Sequence, residues 1–139
     1  MSVTAKNVDV YEKMVGMAVE QMEKAYSPYS HFRVGAALLT EDGRIYTGCN
    51  VENASYGATI CAERTAFVKA VSEGERHFAA IAIAGGMNGE MTGTAPPCGI
   101  CRQVMSEFCG GDFTILLARP GGGYESHTLA ELLPLAFNL

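Results

Sequence analysis

From residue 8 onward the apolar positions recur at intervals of three and four: Tyr11, Met14, Val15, Ala18, Met22, Ala25 and Tyr26. That is the period of one amphipathic face, and it predicts a helix over 8–26. Ser27-Pro28-Tyr29-Ser30 ends it, because proline cannot continue the helical ladder and biases the residue before it toward extended backbone. The pattern then changes. Runs over 34–40 and 45–51 flank Glu41-Asp42-Gly43, a hairpin signal, since glycine accepts the positive φ of a tight turn. Residues 53–59 form a polar loop containing Gly57, followed by a helix over about 61–73 that Gly74 stops.

Residues 78–84, Phe-Ala-Ala-Ile-Ala-Ile-Ala, contain no polar member, as expected of a strand covered on both faces. A glycine-rich loop is expected over 85–94, and after Pro96-Pro97 a short helix over about 98–108 that ends at Gly110-Gly111. A second apolar strand follows over 113–118. Gly121-Gly122-Gly123 makes a turn, 124–127 a last short strand, 129–133 a helical turn and 134–139 a tail. The two apolar strands alternate with helices, which implies a parallel crossover within a mixed sheet. The expected fold is α/β: a three-layer α/β/α sandwich around a mixed, about five-stranded sheet. No repeat, linker or low-complexity segment interrupts it, so 1–139 reads as a single domain.

Composition narrows the function. Apolar residues make up 48% of the 139 and charged residues 18%, an ordinary globular balance. The net charge is −5 with no basic run, which argues against a grip on nucleic acid, where Lys and Arg must neutralise phosphates. A small, weakly charged substrate fits better. The apolar runs are too short to span a bilayer, and no charged stretch followed by an apolar core marks a secretory signal. A cytoplasmic protein with no membrane partner is expected. The five cysteines then read as metal ligands and free thiols rather than disulfides.

The chemistry concentrates in Cys61-Ala62-Glu63-Arg64 and Pro97-Cys98-Gly99-Ile100-Cys101. Three thiols leave one position open on a tetrahedral zinc ion, as in a catalytic rather than a structural site. Glu63, not itself a ligand, is placed to be general acid and base toward water on that ion. Both thiol groups fall at predicted helix N-termini, where unpaired N–H groups and the helix dipole favour thiolates. Three thiolates on Zn²⁺ still leave a net −1, so Arg64 is expected to face them and compensate that charge. Cys-x-x-Cys alone would equally suit a redox pair or half of a structural zinc site, but neither gives Cys61 and Glu63 a purpose. Cys49 and Cys109 are expected to be small buried hydrophobes, and His31, His77 and His127 surface residues.

These motifs resemble the three-cysteine form of the zinc nucleoside deaminase motif. Tyr29-Ser30-His31-Phe32-Arg33-Val34-Gly35-Ala36-Ala37-Leu38, Gly48-Cys49-Asn50-Val51-Glu52-Asn53, Cys61-Ala62-Glu63-Arg64-Thr65-Ala66, Cys98-Gly99-Ile100-Cys101-Arg102-Gln103 and Glu131-Leu132-Leu133-Pro134 are all similar to the small homotetrameric cytidine deaminases. The resemblance covers nearly the whole chain. It implies a cytidine deaminase-like fold with one Zn²⁺ per chain, held by Cys61, Cys98 and Cys101. It also implies hydrolysis of cytidine and deoxycytidine to uridine and deoxyuridine with release of ammonia, in pyrimidine salvage. Water activated by zinc would attack C4, and Glu63 would shuttle the protons. The same resemblance assigns substrate contacts to Phe32 beside the pyrimidine, Asn50 and Glu52 at the sugar, and Ala62. It assigns Tyr56 and Phe137 to a neighbouring subunit's site in a homotetramer.

From spacing alone, Asn50 and Glu52 would be a polar turn after a strand, Phe32 a core residue, and Tyr56 and Phe137 interface packing. Leu135 stands where the family often has glycine, and the loop Gly57-Ala58-Thr59-Ile60 need not match other members. Three rivals remain: a deaminase of another cytosine nucleoside such as blasticidin S, a nucleic-acid editing enzyme, and a non-catalytic zinc-stabilised module. The Asn50-Val51-Glu52-Asn53 segment favours the cytidine type over the first, and the scarcity of Lys and Arg disfavours the second.

Overall fold

The computed structural model describes residues 5–139, built as a mixed five-stranded sheet between helices. In chain order the elements are α1 (Ala5–Gln21), β1 (Phe32–Thr40), β2 (Ile45–Cys49), α2 (Ala62–Ser72), β3 (Phe78–Met87), α3 (Gly99–Phe108), β4 (Thr114–Ala118), β5 (Tyr124–Thr128) and α4 (Leu129–Leu132). The sheet order is β2-β1-β3-β4-β5. β1 runs antiparallel to both β2 and β3, β3 and β4 are parallel, and β5 turns back antiparallel on β4. The three layers and five strands expected from the pattern are present. No helix among the described residues is long and apolar enough to cross a membrane.

The alternation within β3 divides the core. Ala80, Ala82 and Ala84 face α1 and pack with Met14, Ala18 and Met22. Ile81 and Ile83 face the other way, into a larger cluster with Phe67 of α2, Met105 of α3 and Leu129 of α4. Small residues on the first face let α1 lie close. A Cβ on Gly35 would stand 2.0 Å from the Ala18 carbonyl oxygen, so only glycine fits there.

Several boundaries differ from the expected ones for identifiable reasons. α1 gives way to a single 3₁₀ turn, Met22–Lys24, and Tyr26 pairs with the chain beyond β2: its N–H donates to the Asn50 carbonyl and its carbonyl accepts from Glu52. β2 stops at Cys49 because Asn50 turns away, while Val51 exchanges hydrogen bonds with Ile60. The largest departure is β3, which runs on through Gly85 and Gly86, where the glycines predict a loop. Both pair with β1, opposite Val34 and Arg33. A Cβ on Gly86 would meet the Glu90 carbonyl oxygen at 2.0 Å, and one on Gly85 would meet Ala95 at 2.9 Å and the Phe32 ring at 3.1 Å. These glycines serve close approach. The turn comes later, at Asn88 and Gly89, both with positive φ.

His31 and His77 are exposed as expected. His127 is not a free surface residue: it is half-buried between Glu125 (3.0 Å) and Glu131 (3.6 Å), and the bond to Glu125 raises its pKa first of all. Cys49 and Cys109 are half-buried rather than buried. Leu135 adopts φ +56, a left-handed conformation that glycine enters without penalty and that costs a side chain about 1–2 kcal/mol.

Gly48 sets the seat of α2. A Cβ there would lie 2.6 Å from both the Ala62 carbonyl oxygen and the Ala66 amide nitrogen, so Gly48→Ala must push the helix off β2. Urea unfolding should show a loss of about 1–3 kcal/mol, and unchanged stability would mean that α2 does not depend on this contact.

Candidate active site

Two helix N-termini meet at one end of the β1–β3 pair. Cys61 is the extended residue that caps α2, and Cys98 caps α3, its sulfur accepting a hydrogen bond from the Cys101 amide at 3.5 Å. The Cys61 and Cys98 sulfurs lie 3.7 Å apart and those of Cys98 and Cys101 3.4 Å. All three fall within 4.8 Å of one another, the one such ligand cluster among the described residues. Zinc–sulfur bonds of about 2.3 Å at tetrahedral angles place sulfurs about 3.8 Å apart, so the donor set fits Zn²⁺. Cys49 and Cys109 stand outside it. Cys109 is instead a thiol at the core's fringe, and burial pushes its pKa up to about 12.

The charges are arranged as the chemistry requires. A hydrogen bond from Cys101, together with Arg64 and Cys98, outweighs burial and lowers the Cys61 pKa to about 5. Cys101 is pushed the opposite way, since its proton is shared with Cys61 and its surroundings are buried. The cluster thus favours a thiolate at Cys61 and a thiol at Cys101. Metal uptake must release that proton. Arg64 turns toward the cluster as expected: Nη2 donates to the Cys61 sulfur at 3.5 Å and to the Thr59 carbonyl at 3.4 Å.

Glu63 is buried, 4% exposed, in the first turn of α2. Burial, reinforced by the charge of Cys61, raises its pKa to about 7. It lines a cavity of about 400 Å³ together with Cys61, Cys98, Ala62, Phe32, Asn50 and Glu52. Two of the three clustered thiols, the acid and four of the six expected substrate contacts thus share one space.

Asn50 and Glu52 do more there than line a wall. The Asn50 side chain accepts from the Val34 amide at 2.9 Å and donates to the Phe32 carbonyl at 2.8 Å, pinning the start of β1. Glu52 accepts from the amides of Tyr29 (3.0 Å) and Ser30 (3.1 Å) and from the Ser30 hydroxyl. That hydroxyl is the main reason the Glu52 carboxyl is held below its ordinary pKa.

Tyr56 and Phe137 are not in this cavity. Tyr56 is 77% exposed, its ring edge against Tyr29, and lines an adjoining groove of about 360 Å³ with Ser30, Glu52 and Thr59. Phe137 lies exposed on the tail, whose next residue, Asn138, accepts from Ser106 of α3 at 3.4 Å. Sequence reasoning passed over Ser30, although its place two residues before Phe32 was visible. It also passed over Thr94, Ala95 and Pro96, which line the same cavity. The extended Pro96-Pro97 pair ahead of Cys98 was the signal that the preceding chain must run past the site.

The family model of the cytidine and deoxycytidylate deaminase zinc-binding region matches residues 8–117. A cytidine deaminase from Sporosarcina psychrophila is 51% identical over 127 residues, covering 91% of this chain and 90% of its own. Another, from Halalkalibacterium halodurans, is 48% identical over 126 residues, covering 91% and 92%. The crystal structure of cytidine deaminase from Burkholderia pseudomallei superposes with a TM-score of 0.83 at 44% identity, over 97% of this chain and all of that one. With its thiol cluster and Glu63 inside the matched region, the chain belongs to the cytidine and deoxycytidylate deaminase zinc-binding family.

Proposed function

We infer that this chain is a zinc-dependent hydrolase that converts cytidine and deoxycytidine to uridine and deoxyuridine with release of ammonia. The observation that carries this reading is a buried carboxyl with a pKa near 7 lining one cavity with Cys61 and Cys98, two members of the three-thiol cluster. Bound Zn²⁺ supplies the Lewis acidity that brings the pKa of water toward neutrality.

The chain's residues do the rest. Glu63, the catalytic residue, takes one proton from water and passes it to ring N3 as the water oxygen bonds to C4. It then takes the second proton from that oxygen and passes it to the 4-amino group, so that the C4–N bond breaks and ammonia leaves. A carboxyl that titrates near working pH serves both directions. Cys61, Cys98 and Cys101 hold the metal, and Arg64 offsets their charge. Asn50 keeps one of its two amide hydrogens for the sugar, while Glu52, ionised and held by the Tyr29–Ser30 turn, accepts a sugar hydroxyl. Groups of this kind reject substrates that lack the hydroxyl. Phe32 at the mouth lies beside the pyrimidine, and Ala62 lines the floor.

We further propose that residues 1–139 act as one cytidine deaminase-like domain within a homotetramer, in the cytoplasm, serving pyrimidine nucleoside salvage, with no nucleic-acid or membrane partner. Support for assembly comes from Tyr56, Leu135, Phe137 and Leu139, all exposed on the single chain, since apolar surface of this kind marks contact sites. Tyr56 and Phe137 would then reach a neighbouring subunit's cavity.

Glu63→Gln removes the proton carrier and keeps the shape. Zinc content by atomic absorption should stay at one per chain, while kcat for cytidine falls by about 10²–10⁴; full activity would exclude this mechanism. Acid titration gives a second check. Glu63 must be ionised to accept a proton, and burial raises its pKa to about 7. Activity should therefore be level above that pH and fall tenfold per unit once Glu63 protonates. A kcat/KM that rises on acidification would contradict it. Arg64→Ala leaves the cluster too negative, so kcat or zinc retention should drop about 10- to 100-fold. Unchanged values in both would remove the compensating role of Arg64.

A further inference from the structure

The segment that carries Cys98 arrives through Pro96 and Pro97, and Pro97 is fully buried. A carbonyl withdrawn from solvent is costly to leave unpaired. Arg102, in the first turn of α3, fills that need: its Nε donates to the Pro97 carbonyl at 2.8 Å. The same guanidinium donates through Nη1 to the Leu132 carbonyl at 2.6 Å. Leu132 is the last residue of α4, where helix carbonyls have no intrahelical partner.

α4 is itself fixed at its other end. Thr128 and Glu131 form a reciprocal capping box, and the amides of Leu129 and Ala130 donate to the carbonyls of Phe113 and Gly111, each at 2.9 Å. Arg102 thus stands between an anchored helix and the Pro97–Cys98 turn that leads into the first turn of α3, where Cys101 lies. A planar fork suits two carbonyls at fixed directions, whereas a lysine ammonium can satisfy only one of them well.

We propose that Arg102 is a positioning residue for the metal centre. It holds the Pro97 carbonyl, and through it the Cys98 turn, at the place where the Cys98 and Cys101 sulfurs meet Cys61, with α4 as the anchor. It touches neither metal nor substrate. The inference rests on Cys61, Cys98 and Cys101 being the zinc ligands.

The test loads wild type, Arg102→Gln, Arg102→Lys and Ser106→Ala with zinc. It then follows zinc release to a chromogenic chelator, kcat and KM for cytidine, and the thermal midpoint. Arg102→Gln should release zinc about 10- to 100-fold faster than wild type, with kcat lowered and KM unchanged. Arg102→Lys should fall between the two. Ser106→Ala cuts the tail contact on the same face of α3 and should keep zinc as wild type does. If Arg102→Gln does not fold, Arg102→Lys decides. Zinc held as long as in wild type by the folded Gln variant, or by the Lys variant in that case, overturns the proposal, even with a lowered thermal midpoint. Wild-type protein that takes up no zinc would overturn the ligand reading, and this inference with it.

Discussion

Three thiols brought within 4.8 Å of one another cannot all ionise unless positive charge is brought with them, and much of the site follows from that requirement. Cys61 and Cys98 cap two helices, so the positive ends of both dipoles, each worth about half a charge, point at one spot. Arg64 adds a full charge at 3.5 Å from the Cys61 sulfur. The glycine at 48 belongs to the same requirement, since without it α2 could not lie low enough on β2 to deliver its cap. The result is graded: Cys61 is acidic and Cys101 is not.

Glu63 answers to two opposed influences. Its backbone environment at the start of α2 favours the carboxylate, while burial disfavours it, and burial wins. The outcome is a group that changes charge near neutrality, beside a cavity it shares with Cys61 and Cys98. Across the same cavity the opposite strategy holds. Glu52 is kept ionised by the Tyr29–Ser30 turn, and Asn50 is oriented by the backbone of β1. One carboxyl is pushed up by burial and the other held down by hydrogen bonds, and environment alone separates them.

The sequence made some of this legible and hid the rest for physical reasons. Periodicity located α1 and the apolar strands because burial of one face, or of both, leaves its mark on consecutive residues. The three-thiol cluster and the place of Glu63 beside it were readable because their spacing is local, and the turn of Arg64 toward Cys61 because the charge of three thiolates demands a neighbour. Gly85 and Gly86 misled because a glycine needed for close approach to Glu90, Ala95 and Phe32 looks the same as one needed for a turn. The bonds that orient Asn50 and Glu52 span 16 to 23 residues, and Arg102 reaches a carbonyl 30 residues away. No spacing rule anticipates such pairs. His127 looked like a surface residue because the pair of carboxylates around it, one on β5 and one on α4, is assembled only by the turn between them.

The most direct measurement is the change in ultraviolet absorbance, with ammonia assayed in parallel, when zinc-loaded protein meets cytidine, deoxycytidine, cytidine 5′-monophosphate or blasticidin S. The account predicts rapid conversion of the two free nucleosides alone, with one ammonia released per ring converted. Protein that holds one zinc per chain and turns over none of the four would contradict it and leave the thiol cluster with a structural role.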